Sequence, residues 1–183
     1  MIEISETVSV PATPDEVWAV LSDPHQVVGL LADAEITQEN EDGSYDGVMT
    51  IKFGPMRVKF MARVNLELDD AGRAGNINAR GKDSQGGTRM KTVANFEVVP
   101  TDDVETTVVN LRGSTELTGR LASQIESAAA VVVKKMSIEF TEALTARLSP
   151  APPVEQIAAA KAGLLTRIVA FVTGWLRRLF KRS

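Results

Sequence analysis

Cysteine is absent from this 183-residue chain and histidine occurs once, at His25. Those two scarcities remove most catalytic and metal chemistry at the outset. Without cysteine there is no disulfide, no thiolate nucleophile and no sulfur-ligated zinc. A Ser-His-Asp relay would have to be built around His25. That residue falls in the first turn of an expected short helix beside Pro24, where a solvated ring is the ordinary reading. No EF-hand-like carboxylate loop is present, and Asp69-Asp70 and Asp102-Asp103 read as solvated hairpin tips. The stretch Gly81-Lys82-Asp83-Ser84-Gln85-Gly86-Gly87-Thr88 lacks the spacing of a phosphate loop and runs into a strand rather than a helix. Tyr45, Arg80 and Arg112 are the polar groups that cavity chemistry would draw on, but Arg80 and Arg112 read as outward strand positions. No catalytic residue and no metal ligand is assigned.

A long apolar run is also missing. A spanning helix needs about 20 predominantly apolar residues, and Lys161 and Arg167 interrupt every such window near the C-terminus. The N-terminus, Met1-Ile2-Glu3-Ile4-Ser5-Glu6, is acidic and alternating, unlike a signal peptide, so a cytoplasmic protein is expected. What the end of the chain does contain is a basic amphipathic segment. Before the Ser149-Pro150-Ala151-Pro152-Pro153 break there are 23 acidic and 14 basic residues; from Val154 to Ser183 there are one acidic and six basic. On a helix of 100° per residue, Leu165, Ile168, Val172, Trp175, Leu176, Leu179 and Phe180 share one arc. Arg167, Arg177, Arg178, Lys181 and Arg182 take the other side. Such a helix either docks on its own domain or a partner, or lies in a membrane interface with arginines toward lipid phosphate. The Pro-rich linker, the terminal position and the almost wholly cationic polar face favour an anionic inner membrane surface. The acidic body argues against nucleic acid, which needs a basic field.

The domain boundaries follow: residues 1–148 as one domain, 149–153 as linker and 154–183 as anchoring helix. Within the domain, a first strand ends at Pro11. Thr13, Pro14 and Glu16 make a capping-box start for a helix over Pro14–Leu21, and a second short helix is expected over His25–Leu31. Six strands follow: Ala34–Gln38, Tyr45–Phe53, one from Met56 through Leu68, Ala74–Gly81, Arg89–Val99 and Val104–Glu116. Then the period changes. Thr118–Leu148 has no proline and carries Leu121, Ile125, Ala128, Val132, Met136, Phe140 and Leu144 at helical spacing. The class is α+β, an antiparallel curved sheet around a long C-terminal helix that must bury its apolar stripe on one sheet face.

Three stretches carry a resemblance. Val10-Pro11-Ala12-Thr13-Pro14-Asp15-Glu16-Val17-Trp18 with Leu21-Ser22-Asp23-Pro24 is similar to the opening of START-like (SRPBCC, Bet v 1-like) helix-grip domains. Phe53-Gly54-Pro55-Met56-Arg57-Val58-Lys59-Phe60 and Leu117-Thr118-Gly119-Arg120-Leu121-Ala122, with Lys134-Lys135-Met136 and Phe140, resemble the CoxG family of carbon monoxide dehydrogenase subunits. The chain departs from that family after the second helix, where Gly29-Leu30-Leu31-Ala32-Asp33-Ala34 replaces its usual Ile-Pro-Gly-Cys-like segment.

The resemblance implies a non-catalytic accessory protein that recruits a molybdenum CO dehydrogenase to the cytoplasmic membrane, sitting peripherally on its inner face. It also implies a cavity between sheet and helix for a hydrophobic small molecule, a lipid or an isoprenoid quinone. Alternatives are a cyclase-type enzyme and a lipid transporter unrelated to CO dehydrogenase. Strand alternation and helix spacing nominate Met49, Ile51, Phe53, Val58, Phe60, Ala62, Val64, Met90, Phe96, Ala128, Val132 and Met136 as cavity lining.

Overall fold

A computed structural model of the chain describes residues 1–149, which form one compact unit. The anchoring residues expected between Leu165 and Arg182, and the linker beyond Ser149, lie outside the described residues.

Seven antiparallel strands form one open sheet: β1 (Ile2–Val10), β2 (Ala34–Glu39), β3 (Tyr45–Phe53), β4 (Met56–Asp69), β5 (Ala74–Asp83), β6 (Thr88–Pro100) and β7 (Thr107–Gly119). Their spatial order is β1-β7-β6-β5-β4-β3-β2, so the first strand pairs with the last. Three helices complete the unit: α1 (Pro14–Leu21), α2 (Pro24–Gly29) and α3 (Ala122–Leu148). The helix-grip architecture expected from the sequence is the one observed.

Local chemistry sets the helix starts. The Glu16 N–H donates to Thr13 Oγ1, while the Thr13 N–H donates to Glu16 Oε2 at 2.9 Å, with Pro14 in the first turn. The Thr13 hydroxyl, donating to Glu16 Oε2 at 2.7 Å, and then the Thr13 N–H hold the Glu16 carboxyl below its ordinary pKa. Asp23 caps α2 by accepting from the N–H groups of His25 and Gln26, so α2 starts at Pro24, one residue early, and ends at Gly29. The last strand starts at Thr107 rather than Val104, because Asp103 holds a turn by accepting from the Glu105 N–H and the Thr106 hydroxyl.

The long helix starts later than its apolar spacing indicates. Thr118 still pairs with Arg89, and Gly119 has φ +112°, a conformation closed to a right-handed helix. A Cβ on Gly119 would collide with the Gly87 carbonyl oxygen, so only glycine fits. The Arg120 N–H then donates to Gly87 O, the Arg120 guanidinium to Gln85 Oε1 and the Leu121 N–H to Thr88 Oγ1. The Leu-Thr-Gly-Arg-Leu-Ala stretch is therefore the joint that docks α3 on the β5–β6 hairpin. At its other end α3 is held to α2, where Arg147 donates to Gln26 Oε1. At 1.5 Å per residue, its 27 residues run about 40 Å.

The core under this helix is divided. One cluster joins Val10, Val17, Leu21, Val98, Val109 and Leu144, with Trp18, Phe96 and Phe140 packed against it. The other joins Phe53, Val58, Phe60 and Ile125, with Ile51, Met90, Ala128 and Val132 against it. The first lies under the C-terminal end of α3 and the second under its N-terminal end.

Candidate functional site: a trough between two cores

Strand register shows what lies between the clusters on the face that carries α3. One cross-strand row reads Ile4, Gly113, Ala94, Ile77 and Leu66, from β1 to β4. The next reads Ile2, Thr115, Thr92, Ala79, Val64 and Tyr45. Beside it, Gly81 lies opposite Ala62 and Ala62 opposite Gly47. Apart from Ile2, none of these residues belongs to either cluster. Most are small, and the sheet is drawn in there: a Cβ on Gly113 would lie 2.6 Å from the Ala94 Cβ. Above them Val133 and Met136 of α3 are half-buried and also join neither cluster. The helix backbone comes closest to β1, β7 and β3, so it bridges the sheet's sides over the shallow middle strands. The result is a stretch of mostly small inward side chains beneath the helix, here called the trough, with a packed core toward each end.

The expected lining residues divide accordingly. All twelve sit on the face toward α3 or on α3 itself, but Ile51, Phe53, Val58, Phe60, Met90, Ala128 and Val132 are cluster residues at one end and Phe96 at the other. Met49, Ala62, Val64 and Met136 lie in neither cluster; Ala62 and Val64 belong to the trough rows, and Met49 lies opposite Phe60.

Three polar groups share this face and were missed. The hydroxyls of Thr92 and Thr115 are hydrogen-bonded at 2.9 Å across β6 and β7. Glu6, opposite Leu111, is a half-buried carboxylate on the inward row of β1 between Ile4 and Val8. The signal for all three was alternation itself, since Thr92 sits between Met90 and Ala94 at spacing two. Selecting only apolar residues hid them. The arrangement can hold an apolar body along the small residues and offer donors and acceptors to a polar end.

Other candidates sit elsewhere. His25 Nε2 is 2.6 Å from Glu39 Oε1, both groups are well exposed, and the ring meets Tyr45 edge-on. Arg80 and Arg112 are exposed on the outer face, as expected. Asp83 is 3 % exposed: burial pushes its carboxyl up, but bonds from the Thr88 hydroxyl and the N–H groups of Gly87 and Gln85 outweigh burial and hold it below the ordinary carboxylate range. Its role is to tie the hairpin on which α3 docks. Among the described residues no group of three or more His, Asp or Glu side chains is placed to hold a metal ion, and no helix is long and apolar enough to cross a membrane.

The family model for CoxG, a carbon monoxide dehydrogenase subunit, matches residues 7–149. The chain belongs to the CoxG family. Among functionally curated proteins none matches it. Similar solved structures include a conserved protein from Geobacillus kaustophilus, 17% identical with a TM-score of 0.69, covering 80% of this chain and 95% of that one. The Zhui aromatase/cyclase from Streptomyces sp. R1128 is 19% identical with a TM-score of 0.57, over 80% and 93%. A START superfamily protein from Mycobacterium smegmatis is 17% identical with a TM-score of 0.52, over 80% and 96%. At these identities the likeness establishes the START-like fold and nothing finer. The family's distinguishing stretches also gain a structural meaning: Gly54-Pro55 is the two-residue turn between β3 and β4, and Gly119-Arg120 is the α3 joint.

Proposed function

We propose that this CoxG-family protein is a carrier and recruitment module for a molybdenum CO dehydrogenase. In this reading the trough holds one hydrophobic molecule, a lipid or an isoprenoid quinone, and the basic tail holds the body on the anionic inner face of the cytoplasmic membrane. Electrons released by CO oxidation would then have a membrane-soluble acceptor within reach. The observation that carries the ligand half is the interrupted core. A domain that needed only stability would fill the middle of α3's footprint, because unfilled space costs about 24 cal/mol per Å³. Here Ala62, Ala79, Ala94 and Gly113 put small side chains in that footprint, and Thr92 and Thr115 add a polar handle of the kind a carbonyl-bearing ring accepts. The anchoring half is supported by the composition of the tail, whose four terminal cations would each add about 1 kcal/mol on an anionic leaflet.

Two measurements test the two halves. Solvent extraction of the purified full chain followed by mass spectrometry should yield a lipid or quinone near one per protein; an empty extract counts against the carrier. Co-sedimentation with vesicles containing phosphatidylglycerol should pellet the full chain and leave a chain ending at Pro150 in solution. Equal behaviour of the two overturns the anchor.

A second reading, a cyclase-type enzyme, has one observation in its favour: Glu6 lies on the same sheet face as the two threonines. Recovery of the extracted molecule unchanged after prolonged incubation with the protein would exclude it.

A further inference from the structure

The outer face of the sheet has a charge opposite to that of the body. Up to Ser149 the chain carries 23 acidic and 14 basic residues, yet six of those cations gather on the outward side of β4, β5 and β6 at one end of the sheet. Arg63 lies directly opposite Arg80, and Arg80 opposite Lys91; in the neighbouring row Lys82 lies opposite Arg89, with Lys59 beyond. Glu116, opposite Lys91, bounds the patch on the β7 side. Opposed residues in such a sheet are about 5 Å apart, and like charges so placed repel. All six cations are exposed. Of these six, only Arg63 has an ion-pair partner among the described residues, Asp46 at 2.8 Å. That bond holds the Asp46 carboxyl below its ordinary pKa, so this anion stays charged and is already engaged.

The surface is also indented. Arg63, Arg80, Lys82 and Arg89 line a shallow groove of about 510 Å³ whose floor includes Gly47, Ala62 and Gly81. A second hollow of about 460 Å³ beside it shares Arg63 and Arg80 and adds Lys91 and one carboxylate, Glu67. A flat lipid surface presents no ridge to fill such hollows, whereas a protruding chain with carboxylates at strand-like spacing meets both the shape and the rows of charge.

We infer that this cationic double groove docks an acidic segment of a protein partner. Naming the dehydrogenase as that partner rests on the function proposed above. The groove lies on the side of the sheet away from α3, so a docked partner leaves the trough and its roof uncovered. Charges of this kind steer encounter and make binding strongly salt-dependent.

The test uses the full chain, a reversal variant (R80E/K82E/K91E) and a neutral one (R80Q/K82Q/K91Q). Three probes are measured: isolated molybdenum CO dehydrogenase, a ten-residue glutamate-rich peptide and phosphatidylglycerol vesicles. The expected result is a loss of about tenfold or more in affinity for enzyme and peptide on reversal, and a smaller loss on neutralisation. Vesicle pelleting should be unchanged. The neutral variant relieves like-charge repulsion and should unfold at or above the temperature of the unaltered chain, which separates lost docking from lost folding. Unchanged affinity for both enzyme and peptide overturns the inference, as does vesicle pelleting that falls as far as peptide binding. If the unaltered chain binds peptide through these residues but not the enzyme, the groove stands and the proposed partner falls. If it binds the enzyme with no effect of either variant, the groove falls and the partner stands.

Discussion

The two ends of the space beneath α3 and its middle are built from the same strands and helix, yet they obey different rules. At the ends, side chains as large as Phe60, Phe96 and Leu144 close against one another. In the middle, alanine, glycine and threonine take most of the equivalent inward positions of β5, β6 and β7, beside Ile77 and, on the flanking strands, Ile4, Leu66 and Val64. Stability is therefore concentrated at two places, and the region between them is free to be shaped for something else.

Leu144→Ala should have the largest effect. Leu144 is fully buried, and its truncation should cost about 2–5 kcal/mol, read as a fall in the denaturant midpoint. Ile125→Ala, at the other end, should fall in the same range. If either costs nothing, the ends are not where stability resides. Filling the middle should do the reverse. Ala62→Leu should cost less than the roughly 1–3 kcal/mol typical of overpacking a filled core, while removing the co-purifying molecule from solvent extracts. A filled trough that still carried ligand would break the comparison. Val64→Ala should sharpen it with a cost of about 1 kcal/mol or less, because Val64 lies outside both clusters.

Acid should loosen the joints rather than the trough. Asp83 on the α3 joint, Asp23 and Glu16 at the starts of α2 and α1, and Asp46 beside Arg63 all have folded-state pKa values below their ordinary ones. A carboxyl lowered on folding contributes stability above its unfolded pKa and loses it as pH falls through the folded one. The melting temperature should be level from neutral pH to about 5 and decline below about 4. Asp83→Asn should flatten the acid decline more than a change at an outlying aspartate, because it ties the hairpin that seats α3.

Much of this fold was readable because its signals are local. The capping box at Thr13 and Glu16, the Gly54-Pro55 turn and the period change before α3 each need only a few neighbouring residues. The boundary at Gly119 was misjudged because apolar spacing continues back through Leu121 while the backbone conformation of a glycine leaves no trace in a hydrophobic pattern. The trough was half legible. Alternation gives the face of each residue, but which inward residues fall between the cores depends on register across strands far apart in sequence. Thr92 and Thr115, 23 residues apart, meet only through the β6–β7 pairing.

The order of the strands also has a consequence in time. Val8 pairs with Val109, so β1, once out of the ribosome, has no partner until 101 further residues have been made. At about 5–20 residues per second that is a wait of roughly 5–20 seconds. Throughout it Ile2, Ile4, Val8 and Val10 form an apolar row with an unpaired backbone edge, a template for pairing with the wrong chain. Glu3 and Glu6, charged and embedded in that same strand, keep the waiting segment soluble until β7 arrives to claim it.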